Sequence, residues 1–168
     1  LFGVGDLYTQ LGMVEEAKHA VEKALDAWNN RPDPAHYLCY RTEEYYVNCG
    51  QPELALIVYR RLAKWKVHSP QQDWLNVCIA ACWAGEWAEA RQALGKVLAL
   101  PTQAETPEAC LALALCESRD GNVDAARRLV ERALRDSPDI LGEDALRARK
   151  WPRDLCGEAI ELKAQLGL

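Results

Sequence analysis

The chain is 168 residues long, 49% apolar and 27% charged, with a formal net charge of −5. That length and apolar share suit one buried core or one stack of repeats, and exclude an extended disordered segment. The acidic balance offers no general attraction for nucleic acid or an anionic membrane, and no apolar run approaches the ~20 residues that span a bilayer.

Taken in chain order, the opening "LFGVGDLYTQLG" has neither the basic start nor the cleavage signature of a signal peptide, and no initiator Met. The expectation is a piece of a larger parent that carries additional domains or repeats. Leu1, Val4, Gly5 and Tyr8 share one helical stripe that ends at Gly12. A second helical stretch follows through Ala17, Val21 and Ala24. Glycine returns at Gly50, Gly85 and Gly121, at intervals of 38, 35 and 36 residues. Five residues after each stands an alanine (Ala55, Ala90, Ala126), then a bulky apolar residue (Tyr59, Leu94, Val130), then Leu62, Val97 and Ala133. Four copies in register are an internal repeat, in which glycine turns the chain and alanine lets two helices approach.

The later copies begin with a shared signal: Asp33-Pro34, Ser69-Pro70, Thr106-Pro107 and Ser137-Pro138 each set a capping side chain before a proline. These marks divide the chain into helix pairs at about 1–33, 34–69, 70–106 and 107–138. Two closing helices at about 139–149 and 153–166 follow, parted by Trp151-Pro152. No stretch has strand periodicity, so the fold class is all-α. In the last helix Leu155, Ala159, Leu162 and Leu166 fall near one side, which should pack on the fourth pair.

The repeat resembles the tetratricopeptide family, whose pattern is W-x2-L-G-x2-Y, A-x3-F and P at a period near 34. The first copy reads Leu1, Val4, Gly5, Tyr8, Ala17, Val21, and the third Trp74, Val77, Cys78, Ala81, Ala90, Leu94. The fourth reads Cys110, Leu113, Ala114, Glu117, Ala126, Val130, Pro138. The second departs most, with Thr42 and Glu43 at the leucine and glycine positions, although Tyr46, Ala55 and Tyr59 fit. The resemblance covers about 1–138 and implies a right-handed superhelical stack of antiparallel helix pairs, a solenoid, with 139–168 as its cap.

The resemblance further implies a surface of first helices that holds a protein or peptide segment. Projected onto the copies, that groove contains Tyr37, Tyr40, Arg41, Glu44, Asn48, Leu75, Asn76, Ile79, Trp83, Leu111, Leu115 and Arg119. The first helices "WLNVCIAACWA" and "ACLALALC" are apolar on almost every side, so Leu75, Ile79, Leu111 and Leu115 need cover. Either a partner provides it, or the chain does, for example by folding back 139–168. Phe2 and Asp6 stand where carboxylate-capturing relatives use basic and amide residues, so capture of that type is not expected.

No phosphate loop, nucleophile elbow or His-Glu-x-x-His motif is present, and no catalytic, cofactor or metal residue is assigned. Seven cysteines without dense spacing point to free thiols, a reducing compartment and hence the cytoplasm. Cys78 and Cys82 stand one turn apart and read as packing residues, because zinc would need about two more ligands. The expected function is a non-catalytic protein–protein interaction scaffold, adaptor or chaperone. The alternative is a regulatory or sensory domain of a larger enzyme or transcription factor, with its groove filled intramolecularly.

Overall fold

The structure is a computed structural model that describes residues 2–29, 46–47, 50–66, 69–100 and 106–168. Its helices are α1 (Phe2–Gln10), α2 (Val14–Asn29), α3 (Pro52–Trp65), α4 (Pro70–Trp83), α5 (Trp87–Leu98), α6 (Pro107–Arg119), α7 (Val123–Asp136), α8 (Glu143–Ala148) and α9 (Arg153–Gln165). No strand occurs among the described residues. Consecutive helices pack on each other from α3 to α7, and α1 packs on α2, which in turn meets α3. Residues 34–45, which the sequence assigns to the second pair's first helix, lie outside the described residues, as does the cap signal Asp33-Pro34.

Each pair is closed by the same backbone device. Gly85 takes φ +75, its N–H donates to the Cys82 carbonyl at 3.1 Å, and the Glu86 N–H donates to Ala81 at 2.8 Å. This satisfies two carbonyls that the helix end would leave bare, and it needs a residue tolerant of left-handed backbone. The equivalent bonds recur at Gly12, Gly50 and Gly121. They also recur at the end of α8, where the residue is not glycine: Lys150 takes φ 62, donating to Arg147, while Trp151 donates to Leu146.

The small residues sit where the sequence places them. Ala17, Ala55, Ala90 and Ala126 are fully buried. At the first pair a Cβ on Gly5 would lie 3.0 Å from Val21 Cγ2, so the two helices leave no space for a side chain there. Ser69 Oγ accepts the Gln72 N–H at 3.3 Å and Thr106 Oγ1 accepts the Ala109 N–H at 3.2 Å, and both caps precede a proline. The fourth cap signal acts differently. Ser137 Oγ donates to Asp139 Oδ1 at 2.9 Å, and the chain runs through turns that bury Ile140 before α8 begins at Glu143. The first closing helix is therefore shorter than its sequence suggests.

Ion pairs bridge the joints between successive pairs. Arg61 meets Asp26 at 2.6 Å, Arg60 grips Glu89 with two nitrogens, and Arg91 meets Asp120 while donating to the Cys116 carbonyl at 2.7 Å. The Arg60 hydrogen bonds hold the Glu89 carboxyl below its usual range.

Three outcomes are expected. Gly85→Ala should destabilise the chain by about 1 kcal/mol in urea titration, because alanine pays for left-handed backbone. Lys150→Gly should stabilise it by roughly 0.5 kcal/mol, since relief of strain exceeds the added freedom of the unfolded chain. The Glu89 contribution is complete above the ordinary carboxylate range and is lost as pH falls through its depressed folded value. Glu89→Gln should therefore lower stability at neutral pH and flatten the acid limb of a stability–pH curve.

Candidate functional site

Helices α4 and α6 present almost continuous apolar surface, and each side of them has a cover. Helix α5 packs against both, α7 covers α6, and α4 and α6 touch directly. The remaining side is taken by α9, which lies across α6 and α4 and adds Leu155, Cys156, Ala159 and Leu162 to the core. Leu75 and Ile79 are 5% and 6% exposed, and Leu111 and Leu115 only 1% and 4%. The chain alone already covers all four.

The other sequence-derived positions divide. Tyr37, Tyr40, Arg41, Glu44 and Asn48 lie outside the described residues. Asn76 and Trp83 remain partly exposed on α4, and Arg119 is exposed at the end of α6. Asn76 Oδ1 accepts from Gln72 Nε2 at 2.8 Å. Arg119 meets Glu158 of α9 at 2.9 Å and stands 5.0 Å above the Trp87 ring.

Three hollows mark where the closing segment meets this face. Asn76, Ile79 and Trp83 join Val47, Tyr59, Lys150 and Pro152 around a depression at the α8–α9 link. A cleft of about 210 Å³ opens between Ser69, Gln72, Leu75, Thr106, Glu108 and Arg149. Its edge is fixed by Arg149 Nε on Glu108 at 2.7 Å. The third, about 230 Å³, separates Leu115, Ser118 and Arg119 from Glu158, Glu161 and Leu162. Sequence reading did not single out Tyr59, Glu108, Arg149, Lys150 or Glu158 as neighbours of this face. The stripe on the last helix was the available signal, but a stripe states that a helix packs and not on what.

The thiols have the character of packing groups. Cys78, Cys82, Cys110, Cys116 and Cys156 are buried and free; Cys39 and Cys49 lie outside the described residues. Cys82 and Cys116 approach to 3.9 Å between sulfurs, joining α4 to α6. The Cys82 contact and burial push the Cys116 thiol up. Cys116 pulls the Cys82 thiol down, but contact with Cys78 and burial outweigh it and the net shift is upward. Burial raises Cys156 to about 11. Such thiols stay protonated near neutrality and make poor nucleophiles. Among the described residues no group of three His, Cys, Asp or Glu could hold a metal ion, and no helix is long and apolar enough to cross a membrane.

Comparison with known proteins agrees with this architecture. The tetratricopeptide repeat family matches residues 1–27. No curated protein matches the chain. Among solved structures, the crystal structure of MamA superimposes with a TM-score of 0.53 at 19% identity, over 98% of this chain and 94% of that one. The first helix pair thus matches the tetratricopeptide repeat, and the fold of the chain as a whole is similar to that of MamA.

Proposed function

We propose that the chain is a non-catalytic protein-interaction scaffold that holds a partner segment on the face formed by its first helices. The observation that carries this reading is the surviving surface beside the closing segment. There Asn76 and Trp83 of α4 reach solvent next to Tyr59, Val47 and Lys150, on a frame of stacked helix pairs. A half-buried tryptophan flanked by amide, phenol and ammonium groups is the composition of an interaction hot spot. The burial of Leu75, Ile79, Leu111 and Leu115 within the chain itself supports the second reading, a regulatory domain whose face is closed by its own chain. Both readings are binding functions. The protonated buried thiols favour binding over thiol chemistry.

The partner class is a protein or peptide segment. The formal net charge of −5 argues against nucleic acid.

The test is affinity capture from the source organism's lysate, comparing the chain with Trp83→Ala and with Asn76→Ala. A partner retained by the chain should bind Trp83→Ala at least tenfold more weakly, equivalent to about 1.4 kcal/mol. Circular dichroism and thermal midpoint should show both variants folded. Equal retention by all three proteins would remove this face from the reading.

A further inference from the structure

We propose that the two ends of the stack are complementary interfaces and that the chain associates head to tail with further copies of itself. The outer side of α7 in one copy, the tail, seats on the outer side of α1 in the next, the head. This goes beyond the reading above and uses none of the Trp83 surface.

The internal repeat supplies the geometry, because each position has counterparts at the same offset from Gly12, Gly50, Gly85 and Gly121. Five residues before the glycine stand Ala80 on α4 and Cys116 on α6, helices that have a preceding pair packed on them. They are 1% and 0% exposed, whereas the first-pair counterpart, Leu7, is 55% exposed. Eight residues after the glycine, Ala20, Val58 and Ala93 are at most 9% exposed on α2, α3 and α5, each of which has a following pair. The fourth-pair counterpart, Leu129, is half-buried, and the main neighbour of α7 is α6, since the closing segment turns onto α4 and α6 instead. Likewise Leu113 of α6 is half-buried where Val77 of α4 is 1% exposed. A stack whose ends face water carries polar residues there. Here both ends keep the composition of an interior joint. Leu7 and Leu11, one turn apart, are the two most exposed large apolar side chains among the described residues.

Charge selects a second copy, and unlike ends over like ends. No lysine or arginine precedes Lys18, and Glu15 and Glu16 open α2, so head against head would oppose like charges. From 127 to 135, α7 carries Arg127, Arg128, Arg132 and Arg135 against Glu131 alone, so tail against tail would do the same. Head to tail brings opposite signs together. The joints inside the chain use the same parts. Arg91, six residues after its glycine, reaches forward to Asp120 and the Cys116 carbonyl, and Glu89, four after its glycine, receives Arg60 from the preceding pair. Their counterparts at the ends are Arg127 and Glu16, and neither has an ion pair among the described residues. In the register of those joints Arg127 falls at the Leu7 carbonyl, as Arg91 does at that of Cys116. Glu131 takes the place of Arg60, so the partner of Glu16 comes from Arg128 or Arg135, exposed one turn to either side. Contact between unlike ends is heterologous and does not close at two copies.

Sedimentation velocity on the full chain tests this. Its weight-average mass should rise with concentration past twice that of the monomer. Leu7→Glu blocks the head and Arg128→Glu/Arg135→Glu blocks the tail, all at exposed positions, so circular dichroism should show native helix content in both variants. Each variant alone should self-associate at least tenfold more weakly than the original chain. An equimolar mixture of the two still offers one intact head and one intact tail, and should form a one-to-one dimer within about threefold of the original affinity. Should either variant lose helix content, Leu11→Glu and Arg128→Ala replace them and are read in the same way. A chain that stays monomeric up to about 1 mM would overturn the proposal. So would a mass that stops at the dimer with the tail variant unaffected, which is the signature of head-to-head contact. Association that neither variant weakens, or that the mixture fails to restore, would overturn it as well.

Discussion

A helix can reverse onto an antiparallel neighbour within about three residues only if one backbone unit turns left-handed and the two helices then meet across small side chains. In this chain that requirement fixes almost everything else. Gly12, Gly50, Gly85 and Gly121 supply the turns, and Ala17, Ala55, Ala90 and Ala126 the close approaches. Once each pair closes this way, first helices stand beside first helices, and α4 meets α6 through Cys82 and Cys116. The face available to a ligand, and the apolar surface that must be covered, both follow from that alignment.

The cover distinguishes this chain from a plain open stack. Leucines and isoleucine that would line an open first-helix surface are buried within the chain itself, at most 6% exposed. Of the sequence-derived positions that remain accessible, Asn76 and Trp83 border the α8–α9 link and Arg119 borders α9.

The fold was legible because its signals are local. A glycine at a turn and an alanine five residues later act within one helix pair, and a single sequence displays them four times. Caps at Ser69 and Thr106 are local too, and they form as their spacing suggests. The Ser137-Pro138 signal misled because a second residue competed: Asp139 takes the hydroxyl, and burial of Ile140 holds the chain in turns. The site was less legible because it depends on non-local pairing. Leu155, Ala159, Leu162 and Leu166 announce a packed helix, and the fourth pair is the expected surface, but contact with α4 as well cannot be read from periodicity. Lys150 at a left-handed position carried no warning at all, since its neighbours resemble an ordinary helix end.

The ion pairs at the joints lie unevenly. Asp26 with Arg61 and Arg60 with Glu89 tie second helix to second helix, whereas the first-helix side between α4 and α6 is held by apolar contact and sulfur. Salt weakens solvent-exposed pairs and leaves buried contacts nearly untouched. The two edges of the stack are therefore set by different physics, as in a strip bonded from two materials. Rising ionic strength should loosen the second-helix edge of the stack more than the first-helix edge.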